Sequence, residues 1–389
     1  MKAPTGSIGP AASGGLLALL AAGLFGLSTP LVQLLGKGLG PFTTAALLYA
    51  GAAVVGATLR RGTEREARLT RADAPRLAVV AFLGAVVGPV ALAWGLQRAS
   101  GAGASLMLTL EALFTALLAW LLYGETMDRR VWAAMLLLLG GGALLAFEQA
   151  TAGSGQIGGL LAVLVATAAW GADNTASRAL ADRDPGQVVM AKSALGTAAT
   201  TALAVAVAEP LPAAGAALGL LAIGATGYGL SLRFYLLAQR SFGAARTGSV
   251  FACAPFIGAL GAVALGDRSG GWMMAAAGFL MAAGVFLHLL ERHAHEHQHH
   301  HMSHEHAHTH DDGHHDHRHD PMPAGAHSHP HVHRPTLHAH PHAPDLHHQH
   351  RHLRPGGLST SGNPCRPPGT AHSGPASSWW RRVVRASGR

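Results

Sequence analysis

Before position 288 this 389-residue chain contains no histidine, and its whole length holds only two cysteines. Charged residues are also scarce, at 12%. Each shortage excludes something. Cys253 lies inside an apolar run and Cys365 near the C-terminus, so there is no disulfide framework and no thiolate zinc site. The length would ordinarily suggest two or three soluble domains, but so little charge cannot supply their polar surfaces. No nucleotide-binding glycine loop, nucleophile motif or His/Asp pair occurs upstream of the histidines. That argues against an enzyme and against an ATP-driven pump, and no cofactor is required.

What the chain has instead is long apolar runs. Ten of them span 14–35, 41–59, 77–96, 102–123, 131–147, 158–179, 187–208, 213–237, 244–265 and 271–290. Runs of roughly 17–25 residues suffice to cross ~30 Å of hydrocarbon. They are apolar all round, whereas a helix of a soluble protein carries a polar face. Composition therefore predicts an all-α membrane protein of ten transmembrane helices, with the lipid bilayer as its first partner. Lys2 ahead of an apolar run imitates a secretory signal, but that run is long and nine more follow. It reads as a retained first helix.

Basic residues take sides. Lys2, Arg60, Arg61, Arg65, Arg68, Arg71, Arg76, Arg129, Arg130, Arg178, Arg183, Arg240, Arg246 and Arg292 fall on one side of the alternating connectors. Only Lys37, Arg98 and Arg268 fall on the other. The positive-inside rule then puts both termini in the cytosol of a multi-pass inner-membrane protein. Because the basic residues flank membrane spans, the net charge of +8 does not indicate nucleic-acid binding.

The body repeats itself. Phe25-Gly26 recurs as Trp170-Gly171, 145 residues later. Gln97-Arg98-Ala99-Ser100-Gly101-Ala102 recurs as Gln239-Arg240-Ser241-Phe242-Gly243-Ala244 at an offset of 142, and Gly124-Glu125 matches Gly266-Asp267 at the same offset. Each half has five spans, an odd number, so the second enters the membrane in the opposite sense. Inverted repeats of this kind are a recurring plan of secondary transporters. The boundaries predicted are a cytosolic segment at 1–13, five-helix repeats at 14–148 and 156–291, and a tail at 292–389.

Together these features resemble the EamA family of the drug/metabolite transporter superfamily over about residues 14–290. The matching residues are Leu108-Thr109-Leu110-Glu111-Ala112, Gly124-Glu125 and the glycines 140–142 in the first half, then Ala254-Pro255-Phe256 and Gly266-Asp267 in the second. The resemblance implies a ten-helix inner-membrane carrier, commonly an exporter of amino acids or other small metabolites. Two departures stand out. The family's Glu-Pro pair in the fourth helix is Glu111-Ala112 here, which removes the expected kink. Cys253 aligns with Glu111, so the halves differ chemically.

Ionisable groups inside spans are costly and are functional candidates by default. Glu111 sits mid-span; buried without a cation its neutral form is favoured, which suits a reversible proton carrier as well as a hydrogen-bonded carboxyl. Asp173, Lys192 and Arg233 each lie a few residues inside the cytoplasmic end of a helix, with Asn174 beside Asp173. At 1.5 Å per residue they share one layer, about 6–9 Å deep. Such a cluster can receive a carboxylate or phosphate of a small-molecule substrate. The alternative is snorkelling to water along the side-chain stems.

Twenty-five of the 27 histidines crowd into 293–352. His293, His295, His297, His299, His300 and His301 open the tail; His304, His306, His308 and His310 follow, then His314, His315, His317 and His319. Glu296, Glu305, Asp311, Asp312, Asp316 and Asp320 are interspersed as further ligands. Imidazole and carboxylate without thiolate suit Ni(II), Co(II), Zn(II) or Cu(II). The redundancy predicts a disordered, exchangeable metal binder. The C-terminal Trp379-Trp380-Arg381-Arg382 pattern suits contact with an anionic leaflet.

The resulting expectation is a secondary carrier exporting a small organic metabolite, amino-acid-like or drug-like, with a metal-binding regulatory tail. Proton coupling and a homodimer are compatible with it. The alternatives are a nickel, cobalt or zinc exporter fed by the tail, and a membrane-anchored metal sensor or store.

Overall fold

The computed structural model describes residues 10–59, 67–123, 127, 129–152, 154–177, 180, 183–242 and 244–289, and in the tail 294–298, 302–308, 327–333 and 337–341. The first half of the body comprises α1 Pro10–Leu35, α2 Pro41–Thr58, α3 Ala74–Ala81, α4 Gly88–Leu96, α5 Gly101–Met107, α6 Leu110–Tyr123 and α7 Arg129–Ala152. The second comprises α8 Ser154–Ser177, α9 Pro185–Ala206, α10 Ala214–Ile223, α11 Ser231–Phe242, α12 Ala244–Phe251, α13 Ala254–Ala264 and α14 Trp272–Leu289.

Among the described residues nine helical stretches are long and apolar enough to cross a membrane, from Gly14–Leu35 to Thr247–Ala264. The tenth predicted run is the shorter apolar stretch Trp272–Leu287 of α14. Leu136, Phe147, Leu260 and Phe279 are all strongly exposed on the outside of the bundle. In water such large apolar patches would drive association; in lipid they meet their own solvent. The chain is a multi-pass helical membrane protein.

Both halves carry the same two irregularities. A π turn, Phe82–Val87, joins α3 to α4, and another, Gly224–Leu230, joins α10 to α11. The next run is broken in each half, at Leu108-Thr109 between α5 and α6 and at Ala252-Cys253 between α12 and α13. A straight fourth span, expected because Ala112 replaces proline, is therefore not what forms. The Thr109 hydroxyl donates to the Leu106 carbonyl at 2.7 Å, and the N–H groups of Thr109, Glu111 and Ala112 bond three residues back instead of four. Such side-chain competition for helix carbonyls loosens a helix without proline. In the second half the Cys253 thiol donates to the Val250 carbonyl at 2.8 Å. Counted from the breaks, Cys253 corresponds to Thr109 and Pro255 to Glu111, so the alignment of Cys253 with Glu111 shifts by two residues.

Packing crosses between the halves. α2 lies along α9, and α7 along α14. α1 packs on α11 and α13, while α8 packs on α4 and α6. At one end, carboxylates of one half cap helices of the other or tie down its loops. Glu209 accepts from the backbone N–H groups of Phe42 and Thr43 at 3.1 and 2.7 Å, and Asp267 accepts from Ala102 N–H at 2.9 Å. Anions at helix N-termini satisfy orphan donors and the helix dipole. Each carboxylate follows a residue with positive φ, Ala208 at 54° and Gly266 at 101°. That local geometry explains the Gly-Asp pair seen in the sequence; its counterpart Gly124-Glu125 lies outside the described residues. At the opposite end Ala67 and Arg183 form a short parallel bridge, and Arg183 pairs with Asp73 at 3.0 Å.

In the tail the described residues form four short strands. β1 Ala294–Gln298 pairs antiparallel with β4 Leu337–Pro341, and β2 Met302–His308 pairs antiparallel with β3 His327–His333. His-X-His alternation has the period of a strand. His293, His299, His300, His301, His310, His314, His315, His317 and His319 lie outside the described residues, as do Cys365 and the tryptophan–arginine motif.

Candidate functional site

The centre of the bundle is organised around the first π turn. A π turn departs from regular i→i−4 bonding and recurs at functional positions. Here the Gly84 carbonyl accepts two side-chain donors, the Tyr49 hydroxyl from α2 and the Trp170 indole N–H from α8, the latter at 3.0 Å. Gly84 is also where the chain makes room for charge. A Cβ at this position would overlap the Asp173 carboxylate and lie 2.6 Å from the Lys192 ammonium.

Asp173 on α8 and Lys192 on α9 form a direct ion pair, with side chains only 5% and 11% exposed. The Ser177 hydroxyl adds a second donor to Asp173 at 3.3 Å. A pair so withdrawn from water repays its desolvation only when well hydrogen-bonded. The next residue, Asn174, donates to the Glu111 carboxylate at 2.6 Å, linking α8 to the first turn of α6. The break at Leu108-Thr109 sets where that turn begins. The structure thus brings together Glu111, Asn174, Asp173 and Lys192.

Arg233 is held elsewhere. Its guanidinium donates to the Leu59 carbonyl at 2.7 Å, at the end of α2, and lines a separate pocket with Gly56, Asp184, Val189 and Gly229. Residue counting assigned these residues one depth, but it could not say which direction each faces around its helix.

Beside the ion pair stands an aromatic cluster that sequence reading missed. Phe25 of α1 meets Trp170 edge-on at 6.2 Å, Tyr228 at 5.9 Å and Phe251 at 5.5 Å. Tyr49 meets Tyr228 at 5.7 Å, and Tyr235 meets Phe251 at 4.9 Å. The rings come from both halves. Three of the chain's four tyrosines take part, and tyrosine inside an apolar run was the available signal. Together the cluster and the ion pair make a wall with one cation, one anion and several π faces. Such a wall offers Lys192 to a carboxylate, Asp173 to an amine, and ring faces to an apolar or cationic group.

Among the described residues no group of three or more His, Cys, Asp or Glu side chains is placed to hold a metal ion.

Residues 12–147 match the EamA-like transporter family. An uncharacterized transporter of Methanothermobacter thermautotrophicus is 27% identical over 285 residues, which is 68% of this chain and 82% of that protein. A protein of known crystal structure is similar with a TM-score of 0.53 and 23% identity, over 71% of this chain and 95% of that one; this likeness bears on the fold alone. The family match points to transport of small solutes across a membrane.

Proposed function

We propose that this chain is an EamA-type secondary carrier that exports a small organic metabolite, amino-acid-like or drug-like, through the chamber between its two halves. The observation that carries this reading is the Asp173–Lys192 pair set against an aromatic wall drawn from both halves. Without a bound solute the two charges neutralise each other. A zwitterionic solute would replace that contact with two of its own, its carboxylate on Lys192 and its amine near Asp173. Glu111, held by Asn174 beside the ion pair, is the group to carry a coupled proton. Arg233 and Asp184 form a second station toward the cytosolic mouth.

The wider arrangement belongs to the same proposal: ten helices as two inverted repeats, 14–148 and 156–291, in the inner membrane with cytosolic termini. Reciprocal packing of α1 on α11 and α13, and of α8 on α4 and α6, supports it. So do the paired π turns and broken helices, and the basic residues gathered on one side. The histidine tail then serves as an accessory metal-binding element on the cytosolic side.

The test is counterflow of labelled amino acids, and of analogues lacking the amine or the carboxylate, in liposomes holding the purified chain. Asp173→Asn and Lys192→Gln should each abolish uptake while insertion persists. Unchanged counterflow in both variants would remove the pair from the pathway.

A further inference from the structure

At the end of the bundle where Ala67 bridges Arg183, α9 begins on a carboxylate that is only half used. Asp184 is the N-cap of this helix. One of its oxygens accepts from the Gly186 N–H at 2.8 Å, and its own N–H donates to the Ala67 carbonyl at 2.7 Å. The other oxygen, Oδ2, is buried and has no hydrogen-bond partner among the described residues, in a residue only 3% exposed. The neighbouring guanidinium, Arg183, is directed to Asp73 at 3.0 Å. The N-terminus of α9 attracts negative charge, whereas a buried acceptor left without a donor is costly. The position therefore holds an anion with one acceptor still to be filled.

Asp184 lines the cavity that Arg233 also lines, and Val55 of α2, Val189 of α9 and Leu236 and Leu237 of α11 supply its apolar wall. Close seating of α2 on its neighbours fixes that wall. A Cβ at Gly56 would lie 2.9 Å from the Met190 backbone nitrogen, and one at Gly229 would lie 2.9 Å from Val55. We propose that this cavity is a binding site for a primary ammonium group on a small apolar solute, with Asp184 Oδ2 as its acceptor. An ammonium brings three donors and the opposite charge. It fills the open acceptor with a charge-assisted hydrogen bond, while the apolar wall takes the hydrocarbon part. The positive charge of Arg233 on the same cavity favours a solute that also bears a carboxylate, so a zwitterion binds more tightly than a simple amine. This inference rests on the carrier reading above and names the group that its mouth recognises: a solute's ammonium meets Asp184 before it meets Asp173.

The experiment measures equilibrium binding of labelled L-valine, isobutylamine and isovalerate to the full-length chain in detergent. The three probes share an apolar skeleton and carry both charges, the ammonium alone or the carboxylate alone. Asp173→Asn with Lys192→Met disables the central pair without leaving a lone charge, so the binding that remains belongs to the cavity. In that background valine and isobutylamine should bind and isovalerate should not. Adding Asp184→Asn should weaken both by about tenfold or more, the loss of one charge-assisted hydrogen bond. Asparagine caps a helix as well as aspartate does, so the start of α9 survives and the change falls on Oδ2. Asp184→Ser, also a good cap, is the second variant. Binding that both Asp184 variants leave unchanged would overturn the site, as would isovalerate binding equal to that of isobutylamine. Absence of amine binding once the central pair is replaced would overturn it too, and would leave the carrier reading to its own counterflow test. Amine binding that follows Asp184 in a chain whose counterflow ignores Asp173 and Lys192 would uphold this site and remove the central one.

Discussion

Phe25 on α1 and Trp170 on α8 touch edge to face at 6.2 Å in the middle of the bundle. The glycine after each has an equivalent contact. Gly26 packs against the first turn of α13, and a Cβ at Gly171 would lie 2.7 Å from Phe114 on α6. Each therefore seats a helix of one half on the helix that follows the break in the other half. Gly26→Val and Gly171→Val should each lower stability by about 1–3 kcal/mol, the range for overpacking a close contact. Thermal unfolding in detergent measures it. An unchanged midpoint in either variant would mean that this approach of the helices does not form.

Lys192 and Asp173 should behave as a unit. Removing one charge leaves the other buried and unpaired, at a cost of about 3–5 kcal/mol. Asp173→Asn or Lys192→Met alone should therefore destabilise the purified protein far more than the double replacement does. Additive losses in a double-mutant cycle would show that the two groups do not share an energetic contact.

Asp267 carries a pH dependence of defined sign. Burial opposes its ionisation, but donors from Ser269 and from the backbone of Ala102, Ser269 and Gly101 outweigh it and hold the carboxyl below its ordinary value. A lowered folded-state pKa adds stability that is fully present above the unfolded value and lost as pH falls through the folded one. Asp267→Asn should therefore be less stable than the parent near neutrality and approach it in acid below the usual carboxylate range. Parallel melting curves across the whole pH series would refute the assignment.

Ala208 occupies the left-handed region at φ 54°. An L-residue there costs roughly 1–2 kcal/mol, whereas the equivalent turn uses Gly266. Ala208→Gly should raise stability by about 0.5–1 kcal/mol after glycine's extra chain entropy is subtracted. A lower melting midpoint would indicate that the Ala208–Glu209 cap is not formed as described.

Much of this was present in the chain before any fold was known. Burial in lipid is decided by local composition summed over some twenty residues, so the apolar runs were legible directly. Asp173, Lys192 and Glu111 stood out as candidates because ionisable residues are rare in such runs. Other features were not. The break at Leu108-Thr109, where the Thr109 hydroxyl bonds the Leu106 carbonyl, falls at a place that a proline rule does not mark. Tertiary structure alone decided that Lys192 meets Asp173 while Arg233 turns to Leu59. Depth in a membrane follows from counting residues, but the azimuth of each helix follows from how its neighbours pack. The tail repeats the lesson with strands: period two was written in the His-X-His pattern, and only register could say which histidine stands opposite which.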